Sequence, residues 1–371
     1  MSGVTTPFVP GLRLCGQFYA EAVRPLIDDA CPGLRYAAAR VGPGSDVLGF
    51  DTERSTDHDW GPRLDVFLDP DDLARHSDRL SHLLGDRLPR RFRGYSTHFV
   101  PPDARVRVPA DTDGPVAHLV RFTDVGSWCA GHLGFDPRAG VGLLDWLGTP
   151  GQRFAEVTGG AVFRDDTGAL TAVRRAVHWY PDDVWRFVLA AQWTRIAQEE
   201  AFVGRAAEAG DEVGARVTTA RLARDVSRLC LLLGRRHTPY QKWLGSAVAT
   251  LPEATGVVAA LRRAVRAGDA GVAQDALCDA YEAAGGWQNR LGLAPPVPAT
   301  RRLFFDRPYP VIGADRFATA LRSAVTDPTI AALPPVGAVD QFVDSTDVLT
   351  SPATARAVAA AVLLPGAASS A

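Results

Sequence analysis

Lysine is almost missing from this chain: of 40 basic residues, 39 are arginine and only Lys242 is lysine. A composition that puts arginine wherever either cation serves makes the surviving lysine informative. The ammonium is a compact point charge and the guanidinium a planar fork, so a site needing the first does not accept the second. Chance placement is the competing reading. Cysteine is sparse, with five residues at positions 15, 31, 129, 230 and 278 and no CxxC pair. That excludes a disulfide framework and a cysteine zinc site, and no HExxH or similar histidine spacing offers another metal motif. Apolar runs are short of a membrane span. The start, MSGVTTPFVPGLRL, lacks a basic segment followed by an apolar one, so no signal peptide is expected and a cytoplasmic chain with reduced thiols is. Basic excess is absent too: net charge is −2, which gives no overall field for nucleic acid. There is no internal repeat and no low-complexity block.

What is present is ordinary for a soluble globular protein: 371 residues, 46% hydrophobic and 22% charged. The length predicts two packed units. Residues 16–29 carry amphipathic helical spacing with a proline bend, and LRYAAARV (34–41) reads as a short buried strand. A loop rich in Gly, Ser, Asp and Thr follows. LDVFL (64–68) is a strand, and the spacing predicts a helix from Asp71 behind an acidic cap. RVRVPA and VAHLVRF read as strands, and EVTGGAVFRDDTGALTAV as a hairpin turning at Asp166-Thr167-Gly168. From Pro181 the period becomes helical over successive segments joined by short loops, the pattern of a bundle. Residues 291–310 are Pro-rich and predict an extended crossing segment, before a helical tail from Ala314 to about Leu364. The expected fold is thus an α/β domain with a small mixed sheet over residues 1–180, then an all-α helical bundle over 181–371.

The chemistry concentrates in one loop. Gly44-Ser45 is followed after eleven residues by Asp57-His58-Asp59. Carboxylates two positions apart on an extended strand share a face, and two oxygen ligands converging in that way suit a hard cation such as Mg²⁺ or Mn²⁺. The Gly-Ser turn offers backbone N–H groups and a hydroxyl to a triphosphate. Phosphoryl-type transfer needs that division of labour. The bland alternative is a capped, solvated turn.

Gly44-Ser45-x11-Asp57-His58-Asp59 resembles the signature of the DNA polymerase beta nucleotidyltransferase superfamily. The string GSDVLGFDTERSTDHDWGPRLDVFL is similar, more narrowly, to a bacterial family of unknown function within that fold. So are EVTGGAVFRDDTG, HWYPDDVWRFVLAAQWTRIAQEEAFVGR, RRHTPYQKWLG and VDQFVDST, and the likeness spans about residues 10–345. The resemblance implies a nucleotidyltransferase-like α/β domain and a third carboxylate from a neighbouring strand. Two departures stand out. His58 and Trp60 occupy places the superfamily gives to hydrophobic residues, with Gly61-Pro62 next. The strand expected to bring the third carboxylate reads RVRV, with Arg105 and Arg107; the nearest substitute is Asp65.

RRHTPYQKWLG joins two bundle helices, with Thr238 as expected N-cap and Pro239 at the first helical position. The helix dipole and Lys242 would favour a phosphate. In two-domain relatives a helical-domain lysine closes over the triphosphate, and the resemblance gives Lys242 that part; Tyr240 could stack on a base. Glu199, Glu200 and Arg205 read as solvated helix charges for the most part, and Trp179, Trp185 and Trp193 as core. The expected function is metal-dependent transfer of a nucleoside monophosphate from a nucleoside triphosphate to an unknown small-molecule or macromolecular acceptor, in a cleft between the domains. The expected roles are Asp57 and Asp59 on the metal, Asp65 as third carboxylate, and Gly44, Ser45, Lys242 and Tyr240 on the nucleotide. The alternative is a nucleotide-binding or antitoxin-like interaction module that kept the fold and lost catalysis. A third carboxylate beside the pair favours the enzyme, and an arginine there favours the binder.

Overall fold

The computed structural model describes residues 8–102 and 106–364. The chain divides into two compact units: one runs to Val141 and adds Arg153–His178, and the other takes Gly142–Gln152 and continues from Trp179.

In the first unit, helix α1 (Gly11–Phe18) starts behind Pro10, earlier than the apolar spacing predicts. It passes through a π-turn at Tyr19–Val23 into a further helix, Arg24–Ala30. Pro25 explains the widened turn, because it has no N–H for the i−4 carbonyl and its ring crowds that group. Four strands follow: β1 (Ala37–Arg40), β2 (Arg63–Phe67), β3 (Leu119–Thr123) and β4 (Ala161–Asp165). They form one mixed sheet in the order β3-β2-β1-β4. β1 is antiparallel to β2 and β4, and β2 is parallel to β3. Helix α2 (Pro70–Arg87) connects the parallel pair with further short segments, as a parallel connection requires. Leu14, Phe18, Ala38, Leu64, Val66, Leu80 and Leu84 form the buried core under the sheet.

Three expectations are corrected here. Asp166-Thr167-Gly168 does not turn a hairpin: β4 ends at Asp165 and a helix, Ala169–Ala176, begins past Gly168 at φ 72°. The EVT of the same string closes a helix, Gly151–Thr158. Of RVRVPA only Val108–Pro109 is a strand, paired with Phe99–Val100 outside the main sheet; Arg105 lies outside the described residues.

The second unit is helical. α3 (Asp182–Glu199), α4 (Glu212–Leu233), α5 (Thr255–Arg266) and α6 (Ala270–Leu291) supply its long helices. Trp185 and Trp193 are fully buried in it, their indole N–H groups donating to the Leu232 carbonyl and to Gln288. The apolar period after Pro181 breaks at Glu200. That side chain is 5% exposed, not a solvated charge, and accepts the backbone N–H groups of Ile312, Gly313 and Ala314. Burial pushes its carboxyl above the usual range even though those bonds oppose the shift. The expected helical tail is interrupted at Pro328, Pro334 and Pro352, leaving Asp315–Ser323 and Pro352–Leu363 with shorter turns between them. The Pro-rich stretch holds a two-strand ladder, Arg302–Leu303 against Pro310–Val311. Among the described residues no single helix is long and apolar enough to cross a membrane.

Candidate functional site

The Gly44-Ser45 turn leaves the end of β1 and rests on charge that sequence reasoning passed over. Arg40, the last residue of β1, is 3% exposed and clamps Asp46 through two bonds, Nε to Oδ2 at 2.7 Å and Nη2 to Oδ1 at 2.8 Å. It also donates to the carbonyls of Val41 and Pro43. From the neighbouring strand β2, Arg63 reaches the same Asp46 oxygen at 3.2 Å and the Pro43 carbonyl at 3.3 Å. Gly44 sits on this triad at φ 151°. A Cβ there would fall 2.2 Å from Arg40 Nη2, 2.2 Å from Asp46 Oδ1 and 2.5 Å from Arg63 Nη2. Only glycine lets the backbone come so close to both guanidinium groups.

The triad is unbalanced. Two guanidiniums share one carboxylate that is 1% exposed, and the buried Nε–H of Arg63 has no partner among the described residues. Burial alone would raise the Asp46 carboxyl, but Arg40 and Arg63 overcome it and hold the group below the usual carboxylate range. Arg63 is pushed down, first by burial and then by repulsion from Arg40. Net positive charge taken out of water beside a Gly-Ser turn is the electrostatic setting of an anion site.

The carboxylate pair is placed differently from the expectation. Asp57 ends a 3-10 turn (Glu53–Asp57), and Asp59 has a left-handed backbone at φ 46°. Both precede β2, so they do not share a strand face; Gly61-Pro62 delays the strand until Arg63. Asp57, with its side chain 67% exposed, contacts its own neighbour: Oδ1 takes the backbone N–H of His58 at 3.0 Å and lies 3.0 Å from His58 Nδ1. Slight burial opposes the shift, and His58 outweighs it in holding this carboxyl below its usual range. Asp59 Oδ1 accepts the Arg107 N–H at 3.0 Å, while its own N–H donates to the Arg107 carbonyl. Asp59 therefore pins the 106–110 segment to the loop.

Asp65 is the middle of β2 and faces Arg121 of β3 in register. Its buried carboxylate is held by Arg121 Nε at 2.8 Å and Nη2 at 2.7 Å. The strand beside β2 is thus β3 rather than RVRV, and the residue it brings is an arginine. Both contacts fall on one oxygen, Asp65 Oδ1. No group of three or more His, Cys, Asp or Glu side chains among the described residues could hold a metal.

In the helical unit, Thr238 and Pro239 do not open a helix. A 3-10 turn spans Gln241–Trp243, with Tyr240 before it, and the α-helix that follows is only Leu244–Ala249. Lys242 is exposed, with its ammonium 4.8 Å from the Trp243 ring centroid. Tyr240 is 48% exposed, and its N–H donates to Gln152 Oε1. The α-helix begins only after Lys242 and has six residues, so no long-helix dipole acts on the ammonium.

Residues 146–244, less than half of the chain, match the family model described as "Domain of unknown function (DUF4037)". No curated protein matches the chain. Among solved structures, a nucleotidyltransferase-like protein from Exiguobacterium sibiricum 255-15 is similar at 13% identity, over 73% of this chain and 78% of that one, with a TM-score of 0.29.

Proposed function

We propose that this chain binds a nucleoside triphosphate in the nucleotidyltransferase manner, with the phosphates on the Gly44-Ser45 turn. The observation that carries the reading is the unbalanced triad: Arg40 and Arg63 share Asp46 directly beneath Gly44. A phosphate oxygen at this turn supplies the missing negative charge and an acceptor for a guanidinium N–H. The Ser45 hydroxyl and the turn amides add neutral donors. Arg121 on the strand beside β2 supports binding without transfer, because it occupies the carboxylate that a transferase of this type would place on a metal.

Transfer of a nucleoside monophosphate with Mg²⁺ or Mn²⁺ is the second reading. It is favoured by the exposure of Asp57, whose recorded bonds are to its own neighbour His58. One experiment separates the two. The protein is titrated with each of the four ribonucleoside triphosphates, with Mg²⁺ and with EDTA, and pyrophosphate is assayed alongside. Binding that survives EDTA, without pyrophosphate release, is the expected result. Sustained pyrophosphate release replaces the first reading with the second, and no binding in either buffer overturns both.

A further inference from the structure

The first unit contains a cavity of about 310 Å³ that the phosphate turn does not use. Thr56, Trp60, Arg91, Tyr95, Ser96 and Asp111 contribute to its wall. Thr56 and Trp60 come from the same loop as Asp57 and Asp59, and the others come from the two short ladders around 91–96 and 99–109 and the residues that follow them. The volume lies within the range of small-ligand sites.

Gly11 connects this cavity to the phosphate turn. A Cβ on Gly11 would lie 2.6 Å from Asp46 Cβ and 2.9 Å from Trp60 Nε1. Both side chains therefore pack on one point at the start of α1, Asp46 from beneath Gly44 and Trp60 from the cavity wall. Asp51 locks the junction, accepting the Gly11 N–H at 2.6 Å and the Trp60 indole N–H at 3.0 Å through the same oxygen. The cavity wall and the turn thus share one neighbour, Gly11, through Trp60 and Asp46.

The polar groups of the cavity fit the edge of a base. Arg91 donates to Asp111 Oδ1 at 2.7 Å and to the Gly94 carbonyl at 3.1 Å, so the two charged side chains stand together with a donor and an acceptor presented side by side. Asp111 is 83% exposed and, as a carboxylate, keeps acceptor capacity beyond that bond. A nucleobase edge carries neighbouring donors and acceptors and can bond to both partners at once. Tyr95, half-buried and packed edge-on against Trp60 at 5.0 Å between ring centroids, gives the cavity an aromatic wall.

We propose that this cavity is the nucleoside subsite, with Arg91 and Asp111 reading the base. The inference rests on the phosphate reading of Gly44-Ser45, and the test keeps the two apart. Wild type, Arg91→Ala and Asp111→Ala are titrated with inorganic tripolyphosphate, the four nucleoside triphosphates and the four free nucleosides. Both replaced side chains are largely exposed, and circular dichroism checks that the variants are folded. The expected result is a wild-type preference of about tenfold or more for one base, reduced to near parity in both variants, with tripolyphosphate affinity unchanged. Equal binding of all four triphosphates by wild type, or variants that keep the preference, overturns the base assignment and leaves the phosphate turn standing. Nucleosides bound with a variant-sensitive preference, but no tripolyphosphate binding, keep the cavity and overturn the turn. No binding of any probe overturns both.

Discussion

Asp65 and Arg121 stand opposite each other across the parallel strands β2 and β3, and the guanidinium holds the buried carboxylate through two nitrogens. Asp65 is the carboxylate expected from the sequence to stand in as a third metal ligand. Removing the arginine leaves a carboxylate that is 4% exposed without its cation. Arg121 itself is largely in solvent, so the cost is discounted from that of a fully buried pair. Arg121→Ala is expected to lower stability by about 1–3 kcal/mol in urea unfolding. Asp65→Asn is expected to leave triphosphate affinity within about threefold of wild type, or well under 1 kcal/mol. A Mg²⁺-dependent loss of affinity in Asp65→Asn would return Asp65 to the metal.

Arg40 and Arg63 hold the same carboxylate but are expected to fail differently. Arg40 is buried with Asp46 and makes both of its short bonds, so its removal leaves the buried carboxylate only the longer Arg63 contact. Arg40→Met is expected to cost about 3–5 kcal/mol. Arg63→Ala leaves Arg40 in place, so it should cost about 1 kcal/mol while reducing triphosphate affinity at least about tenfold. Equal stability losses in the two variants would mean the triad is purely structural. The pH dependence has a definite sign. The folded-state value of Asp46 lies below its unfolded value, so its contribution is fully present above about pH 4 and is lost as pH falls through the lower folded value. Urea midpoints measured below pH 5 should therefore fall less steeply in Arg40→Met than in wild type.

Asp57 and Asp59 can be neutralised without loss of the fold. Asparagine tolerates the left-handed backbone at 59, and its side-chain carbonyl can still accept the Arg107 N–H. At 57 the carboxylate bonds, among the described residues, to its neighbour His58. The double Asn variant should melt within about 2 °C of wild type, since each change touches only exposed or retained bonds. Under the binding reading its triphosphate affinity in EDTA is unchanged. If adding Mg²⁺ strengthens binding in wild type and not in the double variant, the pair holds the metal and the transfer reading gains ground.

The strands were legible because each is a short apolar run bounded by turn residues, as in AAAR and LDVF, and the long helices because Val184–Ile196 and Leu222–Leu233 are long, largely apolar stretches without Gly or Pro. The charge beneath Gly44 was not. Arg40 reads as the polar end of a strand, and pairing it with Asp46 and Arg63 needs the β1–β2 register, which spacing does not reveal. Asp59 misled for a local reason: D-x-D implies alternation only on a strand, and Gly61-Pro62 keeps the chain out of the sheet until Arg63. Glu200 looked like a helix-surface charge because its partners lie more than a hundred residues away, at Ile312–Ala314.

Lys242 brings the uniqueness argument to a test. The structure removes one of its supports, because the turn at Gln241–Trp243 opens no long helix whose dipole could conflict with a cation. What is left is composition and exposure: one lysine against 39 arginines, its ammonium over the Trp243 ring. An exposed cation on an indole is worth about 0.5–1 kcal/mol, and arginine makes that contact at least as well. If packing on Trp243 is its only role, Lys242→Arg is therefore silent in both stability and binding. If Lys242 meets phosphate as a point charge, the planar fork places its charge differently. In that case Lys242→Arg lowers triphosphate affinity by about three- to tenfold, or about 0.6–1.4 kcal/mol, with an unchanged melting temperature, and Lys242→Ala lowers it further. We expect the silent pattern, because the contact the structure shows for the ammonium is the Trp243 ring. Indistinguishable titrations for wild type, Lys242→Arg and Lys242→Ala would assign the lone lysine to composition.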